Sequence, residues 1–199
     1  ASLTTSAIVS LSTAQIAALT TKQIPALTTG QIAALTTAQI PALQTDDIAR
    51  LTTAQVVALT TAQSAVLTST QIAAMTLDQV AAIETQDIAK LTTAAFVALT
   101  TAQVANLTTA QIAALSTAQI AAMQTADLVV LSAEQLQALT TGQIAALTTA
   151  QITALTTDQF ASLESADIAA LPTASIAKLT TAQIVALTAE QAAALTSTQ

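Results

Sequence analysis

The sequence predicts an all-α solenoid, a superhelix of about 25 eight-residue repeats with one short capped helix in each. Three observations predict it. Leucine or a close substitute occupies every eighth position from Leu3 to Leu195. A large apolar residue follows five positions later in 22 of 24 cases. Ser or Thr comes directly after the leucine in 20 of 25 repeats, and Gln stands three residues further on in 18. A fixed short period indicates that each unit packs mainly on its neighbours.

Each repeat carries the signals that begin a helix. In one intact repeat, the Thr108 hydroxyl is placed to accept hydrogen bonds from the free N–H groups of a first helical turn. Gln111 has the capping-box spacing, so its side chain can reach back to the Thr108 N–H. Ile112 and Leu115 are three residues apart and share a helical face. Ser116 then ends this helix and begins the next. A helix this short does not form alone, so we expect stacking between repeats to stabilise it.

The leucine and isoleucine positions form the predicted core, and the mostly Ala residues after the isoleucine act as spacers between close helices. Pro25 and Pro41 follow the isoleucine position directly. Proline removes a backbone donor and disfavours helical geometry in the preceding residue. We therefore expect those two repeats to be distorted or to have shorter helices. Pro172 stands at a cap position, which accommodates it more easily.

Two other conformations compete with short helices. One continuous helix is excluded, because eight residues at about 100° each leave a drift of about 80° per repeat and no stable apolar face. A β-solenoid is the weaker alternative. The leucine and isoleucine positions alternate at odd separations, which would place them on opposite faces of a strand. The Ala-rich segments also have low strand propensity.

A longer rhythm of 40 residues overlies the short one. Four repeats replace the cap residue with Gln or Glu and the following Gln with Asp, at Asp47, Asp87, Asp127 and Asp167. Copying of a 40-residue block explains the spacing. So does a superhelix with five repeats per turn, which would align these residues as an Asp column. Both explanations can hold together.

The Asp column, together with Glu84 and Glu164, is the one candidate site in the chain. Carboxylates suit Ca²⁺, but that ion takes six to eight oxygen ligands, and turns about 8–10 Å apart leave the column too open. Asp in a first turn also simply favours the helix dipole. Asp47 with Arg50, and Asp87 with Lys90, have the spacing of helical ion pairs. We therefore expect no metal or cofactor site. A third interpretation is that the Asp residues form a stripe through which neighbouring coils contact each other.

Composition excludes several function classes. The chain has no His, Cys, Trp or Tyr, and its net charge is −7. An acidic chain without aromatic stacking residues does not fit nucleic acid. Without His or Cys, or a phosphate-binding glycine loop, no catalytic set can be assembled, so we expect no enzyme activity. The longest apolar run, about 94–99, is far below the roughly 20 residues of a membrane-spanning helix.

The phrase Leu-Thr-Thr-Ala-Gln-Ile-Ala-Ala-Leu stands at 107–115, and at 147–155 with Thr153 for one Ala. It resembles octapeptide arrays of very large bacterial secreted or surface proteins, of the exoprotein and adhesin kind. The resemblance covers the whole chain. It implies an extracellular or cell-surface stalk, spacer or filament and carries no binding residues with it. We expect residues 1–199 to be one continuous solenoid cut from a longer array.

Three functional hypotheses follow. The first is a structural stalk or filament that associates with itself, head to tail or laterally. The second is a binding module that presents the Asp column or a Thr-rich face to calcium, glycans or ice. The third is an intracellular scaffold of helical repeats.

Overall fold

The structure, a computed structural model, describes residues 4–199, so the predicted core residue Leu3 lies outside it. The described residues form α-helices and two 3₁₀ helices and contain no strand. The fold is therefore an all-helical repeat solenoid, as predicted. No helix in this part of the chain is both long enough and apolar enough to cross a bilayer. The chain divides into two compact units. The first ends at Asn106, and the second is Leu107–Gln199.

The first unit contains eleven α-helices and both 3₁₀ helices, η1 and η2, within its described residues. They are α1 Thr5–Val9, α2 Thr13–Ala17, η1 Ile24–Ala26, α3 Thr29–Ala34, η2 Ile40–Ala42, α4 Thr45–Ile48, α5 Thr53–Val57, α6 Thr61–Ser64, α7 Ser69–Ala74, α8 Leu77–Ala81, α9 Thr85–Ile88, α10 Thr93–Phe96 and α11 Thr101–Ala105.

The second unit contains eleven α-helices and no 3₁₀ helix. They are α12 Thr109–Ala114, α13 Thr117–Ala122, α14 Thr125–Leu128, α15 Ala133–Gln137, α16 Thr141–Ala145, α17 Thr149–Ala154, α18 Thr157–Ala161, α19 Ser165–Ala170, α20 Thr173–Ile176, α21 Thr181–Ala186 and α22 Ala189–Ala194.

The cap chemistry sets the start and the end of each helix, as α12 illustrates. Thr108 is extended, and its hydroxyl accepts a hydrogen bond from the Gln111 N–H at 3.1 Å. The Gln111 side chain accepts one from the Thr108 N–H at 2.9 Å, which completes the predicted capping box. Leu115 donates its N–H to the Ile112 carbonyl at 3.2 Å and turns the chain out of the helix. The prediction of one short helix per repeat is confirmed, and most of these helices begin with a side-chain cap, although α9 and α20 do not.

The two proline repeats are distorted, as expected. Pro25 and Pro41 lie inside η1 and η2, each a 3₁₀ helix of three residues. Proline supplies no N–H for an α-helical bond, so these repeats keep only a tighter single turn. Pro172 stands at the N-cap of α20, where it costs no helical hydrogen bond.

The core comes from the leucine and isoleucine positions, as predicted. Ile112, Leu115, Ile120 and Met123 are all at most 4% exposed. Three residues after each leucine, including the cap, are mostly exposed, and the next two are buried. One of those two is the isoleucine position, and the other is the capping-box glutamine. A polar position therefore lies in the core beside the two apolar ones.

The prediction of five repeats per turn is wrong. Side chains that hydrogen-bond across neighbouring turns join residues 25 to 31 apart, from Ser69–Ala94 to Gln79–Ile48. One turn therefore takes between three repeats, 24 residues, and four repeats, 32 residues. In agreement, α7 packs on α10 in the first unit, and α16 packs on α19 in the second, each pair three repeats apart. The physical reason is volume: five helices would enclose more space than one Leu and one Ile per repeat fill at protein density.

Candidate functional site

The most distinctive feature of both interiors is a set of buried glutamines, which we call the glutamine ladder. Each member stands three residues after the cap position of its repeat and donates its side-chain Nε2 to main-chain carbonyls of the preceding turn. The ladder consists of Gln39, Gln55, Gln63, Gln71, Gln79 and Gln103 in the first unit and of Gln135, Gln143, Gln151, Gln159, Gln183 and Gln191 in the second. Gln199 makes the same bond but is only half-buried.

Gln143 shows how one amide satisfies four groups. Its Oε1 accepts from the Thr140 N–H at 2.7 Å, which closes the capping box of α16. Its Nε2 donates to the Leu115 carbonyl at 2.7 Å and to the Ile112 carbonyl at 2.9 Å. A third carbonyl, that of Ala113, lies 3.4 Å away. The amide thus caps its own helix and also closes the end of a helix one turn earlier, where carbonyls lack intrahelical partners.

The sequence predicts that this glutamine caps its own helix, but not that its side chain bonds the preceding turn. One feature of the sequence could have indicated this second role. A capping box accepts Glu as readily as Gln, yet none of the 25 equivalent positions holds Glu. At this side-chain length the repeats therefore favour a group that donates as well as accepts. The amide is the one side-chain group of this length that supplies both.

The four predicted Asp residues occupy ladder positions in place of glutamine. Asp47, Asp87, Asp127 and Asp167 are all at most 4% exposed. Their 40-residue spacing exceeds one turn and falls short of two, so the geometry that would stack them in a column is absent. Among residues 4–199, no three acidic side chains come close enough to hold a metal ion.

The ion pairs expected from helical spacing do not form. Asp47 and Asp87 point into the core, whereas Arg50 and Lys90 are exposed. In the described part of the chain, no salt bridge joins either pair. A first-turn side chain directed inward cannot meet a cation that lies in solvent on the other face.

Burial makes the carboxyl groups of Asp47 and Asp167 harder to ionise than they are in water. Burial raises the pKa of Asp47 above its ordinary value, against the lowering effect of the Gln44 N–H, which donates to Asp47 Oδ2 at 3.2 Å. Burial likewise raises the pKa of Asp167, and the nearby Glu164 carboxylate adds to the rise. The Glu164 N–H donates to Asp167 Oδ2 at 3.2 Å and opposes the rise.

The cap residue compensates in one of these repeats. Gln44 replaces the usual cap Thr, and its Nε2 donates to the Ala17 carbonyl, 27 residues earlier, at 3.2 Å. In this repeat the cap residue donates to the preceding turn, whereas in most repeats the glutamine three residues later does so. Glu84 and Glu164 hold the same cap position in their repeats but cannot donate when ionised.

Among the buried polar side chains of residues 4–199, Asp87 differs from the others. It is 1% exposed, and its Oδ1 is buried without a hydrogen-bond partner. Buried polar atoms are normally hydrogen-bonded, so Asp87 is a ladder position at which the usual bond to the preceding turn is missing.

One surface cleft in the described part of the first unit offers little chemistry by comparison. A cleft of about 370 Å³ is lined by Thr21, Asp46, Ala49 and Arg50. It combines one carboxylate with one guanidinium, and Thr21 is the one hydroxyl in its lining. The arrangement has no base within it other than Asp46 to activate that hydroxyl.

The helices, their caps and the ladder define an octapeptide-repeat solenoid. The ALTTAQ repeat model matches seven segments of the chain, residues 1–29, 21–45, 40–77, 80–117, 120–157, 134–164 and 160–197. The chain belongs to the ALTTAQ repeat family. No curated protein gives a significant match to its sequence.

Proposed function

We propose that this chain is a structural element, a stalk or filament segment without catalytic activity. The observation that carries the proposal is the glutamine ladder. The ladder glutamines bond main-chain carbonyls of the preceding turn, as Gln71 does with Leu43 at 2.8 Å. Each added repeat therefore brings its own means of attachment. Such a design suits a part whose length is adjusted by repeat number.

Self-association, head to tail or lateral, is part of the proposal. The interface between successive turns uses the same donors and acceptors along each unit. A second copy carries the same groups in the same register, so its turns can stack as the turns within one copy do. Heterologous contacts of this type extend into open filaments when they do not close into a ring.

An extracellular or cell-surface location in a bacterium is proposed from the resemblance of the repeat phrase to octapeptide arrays of secreted proteins. The competing hypothesis is an intracellular scaffold. Fractionation of the source cells, with an antibody raised to the recombinant chain, separates them. Signal in the medium or on intact cells supports the proposal, whereas signal confined to the cytosol contradicts it.

Negative-stain microscopy of chains with different repeat numbers tests the structural role. We expect particle length to increase in proportion to the number of octapeptides, with uniform fibres if copies stack and separate short particles if they do not. The matched control carries the same number of repeats with Gln143 and Gln151 changed to Ala. Particles whose length does not depend on repeat number would contradict the proposal.

A binding role is the second candidate, and exposed threonines favour it. The residue after the cap, such as Thr53 or Thr109, is exposed, and its hydroxyl is not used to cap the helix. Rows of such hydroxyls could present a surface to glycans or ice. Thermal hysteresis and glycan-array binding test this role. Loss of either signal on replacing these threonines by Val would support it, and no signal in the parent chain would end it.

A further inference from the structure

Asp87 places a carboxylate at a ladder position, where most repeats have a glutamine amide that donates a hydrogen bond. The preceding repeat shows what that position meets. Gln79 Nε2 donates to the Ile48 carbonyl at 2.8 Å and to the Leu51 carbonyl at 2.7 Å. Eight residues later, the same register directs Asp87 toward the carbonyls of Val56 and Leu59. An ionised carboxylate has no proton to give them.

Both sides of this contact lack a donor. Asp87 Oδ1 is buried without a partner. Among the described residues, no hydrogen bond ends on the Leu59 carbonyl oxygen, whereas the equivalent carbonyls of Leu43 and Leu51 each receive one from a ladder glutamine. Acceptors therefore face acceptors across a turn boundary in the core. Such an arrangement is costly unless something positive lies between them.

The difference in side-chain length leaves room for an ion. Asp is one methylene shorter than Gln, which moves its oxygen back by about 1.3 Å. Ladder nitrogens lie 2.6 to 3.0 Å from the leucine-position carbonyl. The carboxylate oxygen is then about 4 Å from that carbonyl, too far for a hydrogen bond. Two metal–oxygen bonds of about 2.3–2.6 Å span such a gap.

We propose that a hard metal cation binds at this boundary, held by the Asp87 carboxylate and by the Val56 and Leu59 carbonyl oxygens. The cation is of the sodium or calcium type, because carboxylate and carbonyl oxygens are the ligands such ions take. Lys90, the cation nearest to Asp87 in sequence, is exposed and does not pair with it. The ion takes over the link between turns that a glutamine makes elsewhere in the ladder.

Thermal unfolding at constant ionic strength tests the proposal. The wild-type chain is melted at pH 7 in choline, sodium and calcium chloride, and bound metal is counted by equilibrium dialysis. Asp87→Gln restores the ladder residue and is expected to fold. Asp78→Asn removes the same charge from an exposed position in α8 and is the control.

We expect sodium or calcium to raise the wild-type Tm by about 2 °C or more over choline. Asp78→Asn keeps this response. Asp87→Gln loses part of it and binds one equivalent of metal fewer, and the salt that is effective identifies the ion. An equal response in wild type and Asp87→Gln would overturn the proposal. So would a wild-type Tm that does not depend on the cation, because a water or a proton would then satisfy Asp87.

Discussion

The side-chain amide of Gln143 lies 2.7 Å from the carbonyl oxygen of Leu115, 28 residues earlier in the chain. This contact joins a capping box in one turn to a helix end in the turn before it. It recurs along both units, so the same residue that starts a short helix also attaches that helix to its neighbour. Local and long-range structure therefore depend on one side chain.

Replacing a ladder glutamine should destabilise the fold strongly. Gln143→Ala leaves the Leu115 and Ile112 carbonyls and the Thr140 N–H without this partner, and a buried unsatisfied group costs about 1–3 kcal/mol. We expect a loss of about 2–4 kcal/mol in the free energy of unfolding, measured by urea denaturation. Gln86→Ala is the control, because Gln86 is exposed and bonds only Glu84. Equal effects of the two changes would show that the ladder bonds add nothing.

The converse change should stabilise the protein at Ala95. This residue is 1% exposed and occupies a ladder position. The Thr92 hydroxyl still accepts from the Ala95 N–H at 3.1 Å, but alanine has no side chain to bond the Thr92 N–H in return. In the register of the ladder, Ala95→Gln would donate to the Ser64 and Leu67 carbonyls. We expect a gain of about 1–2 kcal/mol in the free energy of unfolding.

Ala94→Gln serves as the comparison for this gain, because Ala94 is exposed in the same helix. It should change stability by less than about 0.5 kcal/mol. A loss of stability in Ala95→Gln would mean that the core beside Phe96 has no room for the longer side chain.

The cap hydroxyl should matter more than the hydroxyl beside it. Thr108→Ala removes the acceptor for the Gln111 N–H and should cost about 1 kcal/mol, measured by denaturation and by faster amide exchange in α12. Thr109 is exposed at the first helical position and makes no cap bond, so Thr109→Ala should be nearly neutral. Thr108→Ser keeps the hydroxyl and should retain most of the stability. A Thr109→Ala effect as large as that of Thr108→Ala would argue against the cap.

The helices could be predicted from sequence because their signals are local. Thr108, Gln111 and Ile112 lie within five residues, and their spacing alone specifies a cap, a return bond and a buried face. The number of repeats per turn could not be predicted in this way. It depends on how side chains fill the interior, and the 40-residue spacing of the Asp residues indicates five repeats per turn instead. Gln143 and Leu115 meet only because one turn takes between three and four repeats, which no single repeat encodes.

The Asp residues were recognised from sequence as exceptions, but their placement was not. Asp47 and Asp167 were expected in a column, and the structure buries each at its own turn boundary. The sequence shows that a carboxylate replaces an amide at these positions. It does not show that the glutamine side chain points inward, because that depends on how neighbouring turns pack.

Acid should stabilise this protein through its buried carboxyl groups. The folded state raises the pKa of Asp47 and Asp167 above the ordinary value of 3.8, chiefly by burial. The folded chain therefore holds these protons more tightly than the unfolded chain. Their stabilising contribution is fully present below about pH 3.8 and is lost as the pH rises through the raised folded-state values. Urea denaturation from pH 7 to pH 4 should show the wild-type free energy of unfolding rising relative to that of Asp47→Gln/Asp167→Gln, which lacks both groups. Parallel pH profiles for the two proteins would mean that these carboxyl groups ionise as freely in the fold as in the unfolded chain.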